Sequence, residues 1–182
     1  MVRVVKQRKL KIIGIKAENN SMRRRVGFFL INHVYCGTKH FEKKYKIMKK
    51  MGFEIGENTK IVGPIICTTS LKIGKNCWIV KNLLCNGNGS VVIGDNCDIA
   101  PEVTFQTGGH EIGSFERRAG EGRKFTQIVG DGTWIGGRST ILGNTTIGKG
   151  CVIAGCACVT KDVPESTLVG GVPAKVIRKL EK

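Results

Sequence analysis

Histidine is the side chain best suited to moving protons near neutral pH, and this chain of 182 residues has three: His33, His40 and His110. His110 ends the segment Thr107-Gly108-Gly109-His110, at the start of a polar stretch. A histidine in this setting could act as a general acid or base, and it could equally be a plain surface residue. Its chemistry therefore depends on the elements that position it.

Eight cysteines offer a second chemistry, because thiolates bind metals and form disulfides. The closest pair is Cys156-Ala157-Cys158, and the sequence contains no Cys-x-x-Cys. Structural zinc sites need cysteines and histidines clustered at spacings of about two to four residues. The spacing argues against a zinc site and against a disulfide framework, so we expect reduced thiols and no bound metal.

The formal charge of +16 suits a nucleic-acid or membrane-surface binder, but most of that charge lies at one end. Residues 1–50 carry a net charge of +13, which leaves +3 for residues 51–182. No apolar stretch approaches the ~20 residues of a spanning helix, and no secretory signal pattern follows the basic start. We therefore expect a cytoplasmic protein with a basic lead-in, residues 1–51, ahead of a main domain, residues 52–182.

The main domain repeats with a period of six residues. An aliphatic residue recurs at every sixth position in its second half: Val129, Ile135, Ile141, Ile147, Ile153 and Val159. The fourth residue after each of these is small or β-branched, and the same unit recurs upstream from Ile55, Ile73 and Ile93. A period of six fits neither a helix nor a long flat strand. It predicts an all-β coil of short strands and sharp corners, three hexads to a turn.

Two insertions interrupt this register: the turn 86–90 and an excursion loop, residues 108–127. Four cysteines fall in repeat positions that face the core, namely Cys67, Cys77, Cys97 and Cys151. The other four, Cys36, Cys85, Cys156 and Cys158, have no assignment from the pattern.

The segments on both sides of the repeats are predicted to contain helices. Residues 23–51 predict one or two helices, with Phe41, Tyr45, Met48 and Met51 on one face and lysines, including Lys44, on the others. Gly52 is a plausible stop. In the C-terminal tail, residues 165–182, we expect a short helix after Pro173 that carries Val176, Ile177 and Leu180 on its apolar side.

The hexads, the Gly-Gly-His that opens the excursion and the closing run resemble the left-handed β-helix acetyltransferases of the hexapeptide-repeat family. The closing run, residues 130–180, reads GDGTWIGGRSTILGNTTIGKGCVIAGCACVTKDVPESTLVGGVPAKVIRKL. The resemblance is greatest to the galactoside, maltose and polysaccharide O-acetyltransferases. It implies a left-handed parallel β-helix, a homotrimer with active sites between neighbouring subunits, and acetyl-CoA as co-substrate.

The resemblance also implies roles for individual residues. His110 matches the catalytic histidine, which takes a proton from the acceptor hydroxyl as that oxygen attacks the thioester. The matches for coenzyme binding are Gly137, Gly155, Thr160, Lys161, Lys175 and Arg178. Asn88 stands where the family contacts the acceptor sugar. Trp134 either packs against the site or stacks on the ligand, and plain packing at the edge of the coil is the alternative. Gly137 stands where the galactoside enzymes have a serine, Lys175 where they have an arginine, and Asn88 where the family has a carboxylate.

The function implied is an acetyl-CoA-dependent O-acetyltransferase acting on a sugar hydroxyl, in a surface polysaccharide or its precursor. Serine O-acetyltransferase and amino-sugar N-acetyltransferase share the coenzyme motifs and stay open as alternatives. A carbonic anhydrase on this scaffold would need three histidine ligands, and the repeat region holds only His110. A non-enzymatic nucleic-acid or membrane-surface binder is the remaining alternative. We expect no nucleic-acid partner, and we expect the basic lead-in, residues 1–51, to make a peripheral contact with anionic membrane.

Overall fold

The structure, a computed structural model, describes residues 21–181. From Glu54 onward the chain winds into a coil of about six turns, and each complete turn gives one short strand to each of three parallel sheets, here called faces A, B and C. The predicted coil is confirmed.

Face A contains β1 (Glu54–Ile55), β4 (Ser70–Ile73), β7 (Ser90–Ile93), β12 (Thr126–Val129) and β15 (Thr145–Ile147). Face B contains β2 (Lys60–Ile61), β5 (Trp78–Ile79), β8 (Asp98–Ile99), β13 (Trp134–Ile135), β16 (Val152–Ile153), β18 (Thr167–Gly170) and β19 (Lys175–Lys179). Face C contains β3 (Ile65–Cys67), β6 (Leu83–Asn86), β9 (Thr104–Gln106), β14 (Thr140–Leu142) and β17 (Cys158–Val159).

The aliphatic residue of each hexad points inward and stacks on its counterpart in the next turn. On face B, Ile61 pairs in register with Ile79 and Ile79 with Ile99, and all three are buried. The hydrogen-bonded partners of the parallel strands are thus the residues that the hexad pattern aligns. Burying these columns of Ile and Val supplies the hydrophobic stabilisation of the coil.

The cysteines assigned to the core are buried, as predicted: Cys67, Cys77, Cys97 and Cys151. Cys85, which had no assignment, is also fully buried and lies opposite Cys67 in the next turn of face C. Its hydrogen bond with Cys67, followed by desolvation, raises the pKa of the Cys85 thiol. Cys85 stands six residues after Ile79, so the repeat itself could have placed it in the core.

The excursion is an ordered hairpin rather than an irregular loop. It consists of β10 (Gly108–Ile112) and β11 (Ala119–Lys124), which pair antiparallel. The polar composition hid these strands, because both sides of the hairpin are largely exposed and no apolar alternation marks them.

The predicted C-terminal helix is wrong. The chain turns back after β18 and forms β19, which pairs antiparallel with β18 at the end of face B. The open edge of the last turn offers unpaired backbone groups, and the β-branched Val176 and Ile177 favour an extended strand on that edge.

Two helices precede the coil: α1 (Ser21–Phe29), which runs into a π-helical turn (Leu30–Val34), and α2 (Phe41–Lys50). Met48 and Met51 are buried, and Gly52 follows α2 with φ +86°, the left-handed conformation typical of a helix stop. No helix in the described part of the chain combines the length and apolarity needed to cross a bilayer.

The helical pattern predicted Lys44 on a solvent-facing side of α2. This prediction is wrong, because Lys44 is fully buried. Its ammonium group donates to the carbonyl oxygens of Gly37 at 2.5 Å and Val62 at 3.0 Å, and it lies 4.7 Å from the centre of the Phe41 ring. Desolvation lowers the pKa of Lys44. Backbone carbonyls that satisfy a buried ammonium leave no trace in hydrophobic periodicity, which explains the error.

Candidate functional site

His110 lies in β10, on the hairpin that leaves the coil at the corner between faces C and A, here called the CA corner. Its Nδ1 atom is 2.8 Å from the carbonyl oxygen of Gly120, on the opposite strand. A carbonyl oxygen can only accept, so Nδ1 is the atom that carries hydrogen. In the neutral ring, Nε2 is then left with a free lone pair on an exposed side chain, which is the state that a general base requires.

The base of the hairpin is tied to the coil. The amide of Phe125 donates to the carbonyl of Thr107 at 2.8 Å, directly below the two strands. Near the tip, a β-carbon at Gly113 would overlap the carbonyl of Arg117, so only glycine fits where the strands approach each other. The carbonyl that orients His110 therefore belongs to a hairpin with defined ends.

The turn 86–90 packs against the same hairpin base. The amide of Gly89 donates to Thr107 Oγ1 at 3.2 Å, and a β-carbon at Gly108 would lie 3.3 Å from Asn88 Oδ1. The structure thus brings the sequence-predicted Asn88 to the corner that carries His110. Two separate insertions of the repeat meet at one place.

The residues matched to coenzyme binding are spread over the second half of the coil. Gly137 and Gly155 stack in successive turns at the corner between faces B and C, the BC corner, where the Cys156 amide donates to the Gly137 carbonyl at 2.9 Å. Thr160 and Lys161 follow β17 at the CA corner. Lys175 and Arg178 lie on β19, opposite Gly170 and Leu168.

The predicted coenzyme residues combine open backbone with free positive charge. A β-carbon at Gly155 would lie 3.3 Å from the Gly137 carbonyl oxygen, so two glycines leave the backbone of this corner uncovered. Lys161, Lys175 and Arg178 are exposed, and the six ion pairs found within residues 21–181 include none of them. Uncovered amides and unpaired cations suit a ligand that carries phosphates.

Trp134 lies elsewhere, on face B, where 55% of its surface is exposed. With Trp78, Asp98 and Pro101 it lines a shallow cavity of about 300 Å³. Within one chain, then, Asn88 and His110 share the CA corner, and Thr160 and Lys161 lie at the same corner two turns further along, whereas Trp134, the BC corner and β19 belong to other sides of the coil. Across residues 21–181, no three His, Cys, Asp or Glu side chains come together as a metal site.

The sequence analysis did not identify the Gly120 carbonyl, which is the hydrogen-bond partner of His110. It is a backbone atom, so no residue type signals it. The glycines on both sides of the excursion were the only available signal, because close strand pairing at Gly113 and Gly120 requires them.

Comparison with known proteins places this arrangement in a known context. The profile of the bacterial transferase hexapeptide (six repeats) matches residues 128–161. The galactoside O-acetyltransferase of Escherichia coli is 36% identical over 141 residues, which cover 76% of this chain and 70% of that protein.

Two solved structures are similar over nearly the whole chain. One is a hexapeptide-repeat acetyltransferase of Vibrio cholerae in complex with acetyl-CoA, with a TM-score of 0.78 and 29% identity, covering 93% of this chain and 92% of that one. The other is a galactoside acetyltransferase in complex with coenzyme A, with a TM-score of 0.76 and 32% identity, covering 92% and 86%.

The contact with Gly120 makes a prediction about the His110 ring. In nitrogen-15 NMR spectra recorded where the imidazoles are neutral, we expect His110 to carry its hydrogen on Nδ1, with a bare Nε2. The His110→Gln variant identifies the signal, since His33 and His40 are retained. A bare Nδ1 would show that the Gly120 carbonyl does not hold the ring.

Proposed function

Since the chain belongs to the hexapeptide-repeat acetyltransferase family, we propose that it acetylates a sugar hydroxyl directly, with His110 as the general base. As a member of this family it is an acetyl-CoA-dependent acetyltransferase. The observation that carries the role of His110 is the 2.8 Å contact between its Nδ1 atom and the Gly120 carbonyl.

His110 performs two proton transfers in the proposed mechanism. Acetyl-CoA supplies the electrophile, an acetyl thioester. Nε2 of His110 removes the proton from the acceptor hydroxyl as the oxygen attacks, while the Gly120 carbonyl stabilises the imidazolium through Nδ1. The same nitrogen then gives the proton to the departing thiolate sulfur. The ring ends the cycle neutral, and no covalent bond to the protein forms.

The described residues fit the coenzyme. Gly137 and Gly155 would let the narrow pantetheine arm lie against the BC corner, because a side chain there would cover the backbone. Lys161, Lys175 and Arg178 would face its phosphates, and Thr160 would lie beside it. Lys175 supplies a point charge where an arginine would form a two-pronged contact.

Several features support a sugar as the acceptor. The E. coli relative is named a galactoside O-acetyltransferase. Asn88 offers an amide at the His110 corner, and Trp134 offers an exposed aromatic surface. We place the sugar in a surface polysaccharide or its precursor. A panel of sugars, serine and amino sugars separates this acceptor from those of the serine and amino-sugar acetyltransferase alternatives.

We propose a homotrimer with shared sites, and the distribution of these residues supports it. One chain presents His110 and Asn88 at its CA corner but keeps Trp134 on face B and Gly137 and Gly155 at the BC corner. A neighbouring subunit that sets its face B and BC corner against the hairpin would assemble all of them.

The helix α1 supports the proposed contact with anionic membrane. Met22, Val26 and Phe29 recur at helical spacing, and 64%, 50% and 59% of their respective surfaces are exposed. Arg23 and Arg25 flank this stripe and are exposed as well. Apolar side chains bordered by cations are typical of helices that lie on an anionic bilayer, where each cation contributes about 1 kcal/mol. We also propose that the protein is located in the cytoplasm.

Replacing the base should remove most of the turnover while leaving the fold intact. We expect His110→Ala to lower kcat by about 10²- to 10⁴-fold, with acetyl-CoA binding kept, because only the proton acceptor is removed. A thiol-release assay measures turnover, and His33→Ala is the matched control. Turnover of His110→Ala within a few-fold of wild type would contradict the assignment.

The membrane proposal predicts binding that depends on both charge and the apolar stripe. The protein should sediment with vesicles rich in phosphatidylglycerol and not with phosphatidylcholine vesicles, and a Val26→Asp and Phe29→Asp double variant should remain in the supernatant. Phe115→Asp, at the exposed hairpin tip, is the control. Equal sedimentation of the double variant and the wild type would refute the role of α1.

A further inference from the structure

A groove of about 750 Å³ lies between α2 and the first two turns of the coil, away from the His110 corner. Three aromatic side chains line it, Phe41 and Tyr45 from α2 and Trp78 from β5. The roles assigned above use none of them. The groove has defined walls, because Lys44 ties α2 to the coil through the carbonyl of Val62 and to the preceding segment through the carbonyl of Gly37.

The aromatic rings form a fixed platform. The centroids of Phe41 and Trp78 are 5.5 Å apart, with their planes inclined by 59°. Lys60 Nζ lies 5.5 Å from the Trp78 centroid and 5.9 Å from that of Phe41. Both rings are half-buried, so each keeps one accessible part on a rigid support. Rigid aromatic faces of this kind bind the C–H faces of sugar rings.

Hydrogen-bonding groups surround the platform. Asn58 Nδ2 donates to Asn76 Oδ1 at 3.3 Å, and Asn76 in turn donates to Asn96 at 3.2 Å, so an amide ladder edges the groove. The exposed Glu57 stands beside Asn58, and Glu42 is balanced by Lys46 at 3.1 Å. Carboxylates and amides together accept and donate to hydroxyl groups. Glu42 is paired with Lys46, and the charges of Glu57 and Lys60 offset each other, so the groove lining favours a neutral ligand.

The groove lies on face B, the same face of the coil that carries Trp134, near which the acceptor sugar is proposed to bind. On face B the outward residues Lys60, Trp78, Asp98 and Trp134 follow one another in register on successive turns. Neighbouring strands are about 4.8 Å apart, so Trp134 and Trp78 are separated by roughly 10 Å along the face. An extended sugar chain could pass from one tryptophan to the other and enter the groove.

We propose that this groove binds a neutral sugar unit of an extended glycan acceptor, distant from the sugar that is acetylated. The proposal rests on the proposed function, in which the reacting sugar lies near Trp134. It makes the substrate an oligosaccharide or longer chain rather than a monosaccharide, because only a chain of several units reaches both places.

The test compares acceptors of increasing length. Methyl galactoside and galacto-oligosaccharides of two to four units, with glucose and maltose to maltotetraose as a second series, are acetylated by the wild type and by Phe41→Ala and Glu57→Gln. In at least one series kcat/KM should rise with length. Both variants should lower it for the tetrasaccharide by about 3- to 10-fold, and by less for the monosaccharide. Glu54→Gln, an exposed glutamate on β1, is the matched control.

Two results would contradict glycan binding in the groove while leaving the proposed function intact. One is a kcat/KM that does not rise with chain length, and the other is an equal loss of kcat/KM in the variants on monosaccharide and tetrasaccharide. If no sugar is acetylated, the proposed function fails instead. Direct measurements of tetrasaccharide binding then test whether the groove binds a glycan. Tryptophan fluorescence titrations with the tetrasaccharides should then show weaker binding to Phe41→Ala and Glu57→Gln than to the wild type, and equal binding would overturn it. Glu57→Gln is isosteric and exposed, which keeps the test valid should Phe41→Ala fold poorly.

Discussion

The stacking of one turn on the next, in register and parallel, is the constraint on which this molecule depends. Each inward Ile or Val must lie over its counterpart, as Ile79 lies between Ile61 and Ile99, while the backbone amides bond to the preceding or following turn. A residue added or lost within a turn would expose the buried column. The coil therefore accepts extra residues only at its corners and ends.

The candidate site lies where the coil accepts extra residues. The turn 86–90 and the hairpin of β10 and β11 leave from the same corner, and they bring Asn88 beside the strand that carries His110. The hairpin also supplies the carbonyl that orients the imidazole, so the insertion contains both the proposed base and the group that holds it. The ends of the coil contribute the basic helices and β19, where charge and apolar surface can vary without disturbing the stacked columns.

The hexad pattern predicted the coil and the burial of Cys67, Cys77, Cys97 and Cys151, because each follows from a strict repeat. Helical periodicity misplaced Lys44, whose partners are backbone carbonyls, and it predicted a helix in the tail, where Val176 instead joins a strand on an open sheet edge. The sequence could not indicate the Gly120 carbonyl or the carbonyls that bind Lys44, because all of them are backbone atoms. Contacts made by the backbone depend on three-dimensional placement, which residue types do not encode locally.

The proposed function depends on a site divided between subunits, with His110 from one chain and Gly137, Gly155, Lys175 and Arg178 from another. Co-expression of His110→Ala with a Lys175→Glu and Arg178→Glu chain, each inactive alone, tests this directly. Random assembly leaves about a quarter of the shared sites intact, so activity should return to about a quarter of the wild-type value. Mixed trimers that form but stay inactive would show that each chain carries its own complete site.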